Sequence, residues 1–284
     1  MMESQADHRS WSPAGHQFDL TGIVAVVTGA GGLLGREHCI ALAESRARVI
    51  AVDLDSAACE ATVEQIRAAG YLSVEARRVD ITARSEVTQL CEDLVTRFGY
   101  VGVLVNNAAL NDKVEGRAPR GPVAFENFPL SEWQRTIDVN LTGMFLCCQV
   151  FGALMEQASR GSIINISSTY GMVGPDQRIY QDELGRQTLI KSPAYAVTKA
   201  GVLGLTRYLA AYYGPHGVRV NALSPGGVQT SQDPQFVKNY ASRTPLGRMA
   251  RPDEYRGAIV YLASNASSYV TGANIVVDGG WTAW

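Results

Sequence analysis

Seven short apolar runs alternate with segments of helical length along almost the whole chain, and this alternation restricts the fold more than any other feature. The runs are Gly22–Thr28, Arg48–Asp53, Ser73–Val79, Val101–Asn106, Gly161–Ser167, Val218–Leu223 and Asn274–Val277. Most are continuously apolar, as strands are when both faces of their sheet are covered. Between them, Leu33–Ser45, Ser56–Ala69, Ala83–Phe98, Ser131–Met155, Ala194–Tyr213 and Asp253–Ala263 have helical spacing, with Ser56 and Ser131 placed as N-caps. Right-handed strand–helix–strand units of this kind wind into a doubly wound α/β fold, here with a central parallel sheet of about seven strands flanked by helices. No Pro- or Ser-rich linker divides the pattern. Residues 18–284 are therefore expected to form one Rossmann-type domain behind a flexible tail, residues 1–17.

The net charge of −2, with no Lys/Arg run, speaks against nucleic acid or an anionic membrane as partner. No membrane span is expected, and residues 1–17 lack the apolar centre of a signal peptide. The five cysteines, Cys39, Cys59, Cys91, Cys147 and Cys148, are odd in number and show no CxxC spacing. They read as small buried hydrophobes in a protein of the reducing cytoplasm. His8, His16, His38 and His216 have no metal-ligand spacing, and no metal site is expected.

The first strand runs through Thr28-Gly29-Ala30-Gly31-Gly32-Leu33-Leu34-Gly35 into a helix. Glycines here allow a sharp turn and close approach to a pyrophosphate, and the helix N-terminus offers free N–H groups to it. Asp53 ends the second strand, where a carboxylate can accept hydrogen bonds from the ribose hydroxyls of NAD and repel the extra phosphate of NADP. Its rival reading is a helix N-cap, a role that Asp55 suits better.

With these residues the chain resembles the short-chain dehydrogenase/reductase family in its single-domain form. The likeness covers nearly all of Phe18 to Trp284 and rests on motifs in order: the glycine turn, Asp80-Ile81, Asn106-Asn107-Ala108-Ala109, Asn140, Ser168, Tyr195 and Lys199 as YxxxK, Pro225-Gly226, Thr230 and the ending Val276 to Trp281. The resemblance implies NAD as cofactor, held by Gly29, Gly32, Leu33, Leu34, Gly35, Asp53, Leu54, Asp80, Ile81, Asn107, Ala108, Ala109, Tyr195, Lys199, Pro225, Gly226, Val228 and Thr230. It implies a catalytic set of Asn140, Ser168, Tyr195 and Lys199, with Asn140 anchoring a water that relays protons, and a homotetramer or homodimer as assembly. Two positions depart from the family pattern. Leu33 stands where the turn usually has its middle glycine, so its side chain must point away from the pyrophosphate, and Ala109 replaces the last glycine of NNAG.

The chemistry is readable from the side chains. Lys199 lies one helical turn after Tyr195, so both project from one face. A nearby ammonium stabilises a phenolate, which lets a group of ordinary pKa about 10 act as general base or acid. Ser168 can hydrogen-bond the substrate oxygen as charge develops there.

The stretch between Ser168 and Tyr195 is longer than is usual in the family. It is rich in Asp176, Gln177, Arg178, Gln181, Asp182, Glu183, Arg186 and Gln187. A polar lining suits a sugar-, polyol- or sugar-acid-like substrate, although a solvated surface excursion has the same composition. A second polar stretch, Asn111–Gly121, carries Asp112, Lys113, Glu115, Arg117 and Arg120. Residues Ser231–Arg251, interrupted by Pro234, Pro245 and Gly247, are expected to form a lid. The apolar end Trp281–Trp284 and the helices at Ser131 and Ala194 are candidate subunit contacts. The expected activity is NAD(H)-dependent interconversion of a secondary alcohol and a ketone. A carbonyl reductase of a small ketone and a non-catalytic dinucleotide sensor stand as alternatives.

Overall fold

A computed structural model describes residues 14–111 and 122–284. Seven strands form one parallel sheet: β1 (Val24–Thr28), β2 (Arg48–Asp53), β3 (Val74–Arg78), β4 (Val103–Asn106), β5 (Gly161–Ile166), β6 (Val218–Pro225) and β7 (Asn274–Val277). Their order across the sheet is β3-β2-β1-β4-β5-β6-β7, so the winding reverses between β1 and β4. At such a reversal the crossovers leave in opposite directions and open a crevice beyond the carboxyl ends of the strands. The doubly wound fold expected from the alternating pattern is the fold observed.

Helices cover both faces. They are α1 (Leu33–Glu44), α2 (Ser56–Ala68), α3 (Arg84–Phe98), α4 (Leu130–Ile137), α5 (Met144–Gln157), α6 (Pro193–Tyr213), α7 (Pro234–Ala241) and α8 (Arg256–Ala263). One core joins the sheet to α3, α5 and α6 through Leu94, Phe151, Met155 and Val202. The other joins it to α1, α2 and α8 through Cys39, Leu42, Ile66 and Ile259. Every residue of β1 is buried, which accounts for its unbroken apolar run. All five cysteines are buried free thiols. His38 is buried in α1, and loss of hydration pushes its pKa down to about 3, so it stays neutral.

Local signals set the helix starts. Asp55, not Ser56, caps α2, its carboxylate accepting from the Ala58 N–H at 3.1 Å. Ser192 caps α6 with Pro193 in the first turn, and Asp233 caps α7 with Pro234 behind it. Ser131 is not a cap, because its helix begins at Leu130 after Pro129. That helix and its continuation form one rod, Leu130–Gln157, containing a π-helical segment at Asp138–Gly143. The rod has 28 residues and a mean hydropathy of 1.5 in its most apolar stretch, so one helix does reach membrane-spanning length and apolarity, contrary to expectation. The apolarity follows from its place against the sheet, where Met144, Cys147, Cys148, Phe151 and Met155 are buried.

Residues 1–13 of the expected tail and residues 112–121 of the second polar stretch lie outside the described residues. Ala14–Phe18 forms a short 3-10 helix. Trp281, expected at a subunit interface, is instead buried within its own chain, stacked on Tyr240 at 4.2 Å between ring centres.

The tightest point of the fold is the β1–α1 turn. A Cβ on Gly35 would lie 2.0 Å from the carbonyl oxygen of Gly29. Gly35→Ala is expected to force the turn open, costing about 1–3 kcal/mol as overpacking does, and to weaken dinucleotide binding. Denaturant unfolding and cofactor titration check this; a variant with unchanged stability and affinity would contradict the assigned packing.

Candidate active site

A cleft of about 1050 Å³ runs across the carboxyl ends of the strands at the reversal of winding. Every predicted site residue lines it except Asn140.

The β1–α1 turn forms its floor. Gly29 has φ +66°, and a Cβ there would meet the Ala108 Cα at 2.6 Å. A Cβ on Gly31 would meet the Ala58 Cβ at 2.7 Å and Asp53 Oδ2 at 3.1 Å. Leu33 is not among the residues with positive φ, which explains why a side chain is tolerated there. Thr28 laces the turn to β4: its hydroxyl accepts from the N–H groups of Asn107 and Ala108, both at 3.1 Å. The Asn107 amide donates back to the carbonyls of Thr28 and Gly29, also at 3.1 Å. Gly32 caps α1 without a side chain, so the first N–H groups of that helix open on the cleft.

Asp53 belongs to the same turn. One carboxylate oxygen accepts from the Gly31 N–H at 2.8 Å and the other from the Asp55 N–H at 3.0 Å. Asp53, Asp55 and Asp80 make the β2–β3 end of the cleft acidic. Asp80 Oδ1 accepts from the backbone and hydroxyl of Thr82 at 2.9 and 2.7 Å. Among the described residues, the basic ones that line the cleft are Arg135, Lys191 and Lys199.

This architecture fits a dinucleotide. The bare glycine backbone, the open helix N-terminus and a carboxylate at the end of β2 are the donors and acceptors that a pyrophosphate and an adenosine ribose require.

At the other end stand Ser168, Tyr195 and Lys199. Ser168 follows β5, and its hydroxyl accepts from the Tyr170 N–H at 3.2 Å. Tyr195 and Lys199 share one face of α6, with the Lys199 ammonium 5.7 Å from the Tyr195 ring centre. Lys199 is buried and donates to the Ile166 carbonyl at 2.7 Å. Burial away from water pushes its pKa down to about 8. Asn140 sits behind the cleft wall, in the π segment. Its amide holds the backbone of Leu110, accepting from the N–H at 2.7 Å and donating to the carbonyl at 3.0 Å, and it also donates to Thr198. The widened turn lets an interior helix residue reach a neighbouring loop, as π segments at functional sites do.

The long stretch before α6 differs from expectation. Its polar side chains do not line the cleft; they satisfy one another. Arg178 pairs with Asp176 at 2.8 Å and Arg186 with Asp182 at 2.7 Å. Gln187 donates to the carbonyls of Gln177 and Leu189 at 2.7 and 2.6 Å. The side chains turned inward are Tyr180 and Lys191. The stretch is also fastened to α7, the helical part of the expected lid. Asn239 donates to the carbonyls of Ile179 and Gln181 at 3.2 and 3.1 Å, and Tyr180 stacks on Phe236 at 5.3 Å. Arg243 pairs with Asp176 at 2.8 Å. Sequence reasoning missed Tyr170, Tyr180, Lys191, Phe236, Tyr240 and Met249 as cleft residues. Lys191 precedes Ser192, the N-cap of α6, so no helical spacing pointed to it.

Comparison with known proteins agrees with this geometry. The family model described as Enoyl-(Acyl carrier protein) reductase matches residues 29–282. A 3-alpha-(or 20-beta)-hydroxysteroid dehydrogenase of Mycobacterium tuberculosis is 38% identical over 93% of this chain and 91% of its own. The D-threitol dehydrogenase of Mycolicibacterium smegmatis is 34% identical over 93% of this chain and 95% of its own. The structure of a gluconate 5-dehydrogenase from Burkholderia cenocepacia, in complex with NADP and tartrate, superimposes with a TM-score of 0.82 at 29% identity, covering 96% of this chain and all of that one. The chain belongs to the short-chain dehydrogenase/reductase family, as its motifs indicated. It is an oxidoreductase acting on CH–OH groups and the corresponding ketones.

The buried Lys199 has a measurable consequence. An unfolded chain keeps this proton to the ordinary lysine value of 10.5, whereas the folded chain releases it near 8. Across that window the unfolded state binds more protons, so stability of the ligand-free protein rises with pH there and the gain is lost below about 8. Against Lys199→Met, the wild type is expected to gain up to about 3 kcal/mol between the two values. Parallel denaturation curves at all pH values in both proteins would contradict the burial described.

Proposed function

We propose that the protein oxidises a secondary alcohol to a ketone with NAD+ and catalyses the reverse reaction with NADH. The observation that carries the reading is the joint placement of Ser168, Tyr195 and Lys199 at one end of a cleft whose other end is a glycine turn closed by Asp53. A dinucleotide bound along this floor supplies the hydride acceptor or donor. The remaining chemistry falls to the chain's own residues.

Tyr195 takes the hydroxyl proton in oxidation and returns it in reduction. The Lys199 ammonium beside its ring favours the phenolate. Ser168 holds the substrate oxygen and steadies its developing charge. Asn140 is a positioning residue: through Leu110 and Thr198 it ties the cleft wall to α6 and can anchor a water on the proton path. We assign the cofactor contacts to Gly29, Gly32, Leu33, Leu34, Gly35, Asp80, Ile81, Asn107, Ala108, Ala109, Pro225, Gly226, Val228 and Thr230 as well.

The preference for NAD over NADP rests on the carboxylates. Asp53 and Asp55 flank the place where an adenosine ribose would lie, and a phosphate there would meet like charge. The relatives' named substrates range from a polyol to a steroid, so the substrate is assigned only as a secondary alcohol, the polar residues that favoured a sugar-like one being turned away from the cleft. Five buried thiols suit a reducing compartment such as the cytoplasm.

The protein is also proposed to be a homodimer or homotetramer. Phe145 on α5 and Tyr208 and Tyr212 on α6 are exposed on neighbouring helices, and a shallow groove lined by Leu141, Gly201 and Gly204 lies between them. Light scattering after size exclusion should give a multiple of the chain mass; a monomer would refute this.

Turnover of a panel of polar and apolar secondary alcohols, followed by NADH absorbance, tests the activity. Tyr195→Phe should lower kcat by about 10²–10⁴, the usual contribution of a general base. Asp53→Ala should erode the preference for NAD+ over NADP+ by at least about tenfold, the worth of roughly one charge contact. Full turnover by Tyr195→Phe would refute the role of Tyr195, no turnover with any alcohol would shift weight to the sensor alternative, and equal use of both cofactors by the wild type would refute the role of Asp53.

A further inference from the structure

Both glycines of the turn after β6 have their N–H and carbonyl groups engaged. Gly226 donates its N–H to the Val277 carbonyl at 2.9 Å and accepts from the Tyr255 hydroxyl at 3.1 Å. Gly227 accepts from the Ala250 N–H at 2.9 Å and donates its own N–H to the Tyr240 hydroxyl at 2.5 Å. The turn is also hemmed in by its neighbours. A Cβ on Gly226 would meet the Asp278 Cα at 2.8 Å, and one on Gly227 would meet Tyr240 Cζ at 2.6 Å. Glycine is required here because the Tyr240 ring and the backbone just after β7 press on the chain from both sides.

This turn stands where the reacting end of a dinucleotide arrives. β6 pairs with β5, whose end leads into Ser168, and the residues from Pro225 to Val228 line the cleft. A dinucleotide with its adenosine at β2 and its pyrophosphate on the β1–α1 turn runs past β4 and brings its nicotinamide to the ends of β5 and β6. The tether from Tyr240 differs from the other three in coming from α7, the helical part of the expected lid. Tyr240 is itself held from behind. Its ring lies on that of Trp281, with centres 4.2 Å apart and planes 22° from parallel. Trp281 is buried but does not line the cleft. The Arg243 guanidinium stands 5.6 Å from its ring centre. Asp278 fixes the turn that carries it, its carboxylate accepting from the N–H groups of Gly280 and Thr282 at 2.8 and 2.9 Å and from the Thr282 hydroxyl at 2.7 Å. A stack on so firm a base sets the plane of the Tyr240 ring and so the place of its oxygen.

We propose that Tyr240 and Trp281 are positioning residues for the nicotinamide: the Tyr240 hydroxyl fixes the Gly227 N–H, Trp281 backs the Tyr240 ring, and the end of β6 thereby receives the nicotinamide in one pose against Tyr195 and Ser168. Both act through the backbone of the turn. Hydride transfer depends steeply on that pose, because a small misplacement of the reacting carbons costs much of the rate. The C-terminal segment therefore belongs to the cofactor site without facing the cleft. The proposal rests on the dinucleotide reading above and extends it to two residues outside the motifs that support that reading.

Binding rather than turnover tests it. NADH and ADP-ribose share the adenosine, the pyrophosphate and the second ribose, and only NADH carries the nicotinamide. Calorimetric titration of the full-length protein with each ligand separates a role at the nicotinamide from a role in the fold. Tyr240→Phe and Trp281→Ala should each weaken NADH at least about fivefold, the lower end of the cost of stranding a buried N–H, and leave ADP-ribose affinity unchanged. Trp281→Phe keeps a ring to stack on Tyr240 and should recover most of the loss. Equal weakening of both ligands would overturn the proposal, as the mark of a merely structural role. Unchanged NADH affinity in Tyr240→Phe would overturn it too. Should Trp281→Ala fail to fold, Tyr240→Phe, which removes one oxygen, decides the proposal by itself. A wild type that binds neither NADH nor ADP-ribose would overturn the dinucleotide reading itself.

Discussion

The close passage of α1 over the end of β1 is the constraint on which the rest of the structure depends. At Gly35 even one added carbon would lie 2.0 Å from the Gly29 carbonyl oxygen, and at Gly29 one would lie 2.6 Å from Ala108. Three neighbouring strands are therefore drawn together at one point. Thr28 and Asn107 lace β1 to β4, and Asp53 ties β2 to Gly31. The crevice that results has a backbone floor with no side chain to fill it. A substitution there changes the packing of β1 and the shape of the cofactor floor together, so folding and function are coupled at this turn.

From that floor the cleft divides by charge. Carboxylates stand at the β2–β3 end, and two buried lysines flank Tyr195 at the other. Burying an ammonium is costly unless other groups compensate, and the depressed pKa of Lys199 reflects that cost. The protein holds Lys199 in place with the Ile166 carbonyl at the end of β5, and Lys191 with Asn111 in the loop after β4 and with Gln177. Lys199 thus answers to the sheet, whereas Lys191 and the aromatic wall answer to α7 and the long stretch before α6. Asn239, Arg243 and the Tyr180–Phe236 stack join those two segments, so motion of one must carry the other.

Much of this was legible in the sequence, for physical reasons. Strands buried on both faces must be apolar throughout, which is why runs such as β1 and β4 could be read as strands, whereas their order across the sheet could not. A strand, a glycine turn and a helix in succession leave little freedom for a different local structure, and Tyr195 and Lys199 are one turn apart in any helix. Other features leave no such trace. The π segment around Asn140 depends on how the helix meets Leu110 and Thr198, not on a residue type. The stretch Asp176–Lys191 is polar in composition, yet two inward residues, Tyr180 and Lys191, decide what its cleft side presents, because its other polar groups pair among themselves. Trp281 looked like an exposed end but stacks on Tyr240, a partner about forty positions away that short-range patterns do not reveal.

The central claim is that this cleft brings a carbinol carbon against a nicotinamide while Tyr195 handles the proton. The most direct test uses an alcohol carrying deuterium on its carbinol carbon, oxidised in ordinary water with NAD+. Mass spectrometry of the reduced cofactor should find the deuterium there, with none released to solvent. Deuterium recovered in water instead would mean that the hydrogen leaves as a proton, and the account of this site as a hydride-transfer centre would be wrong.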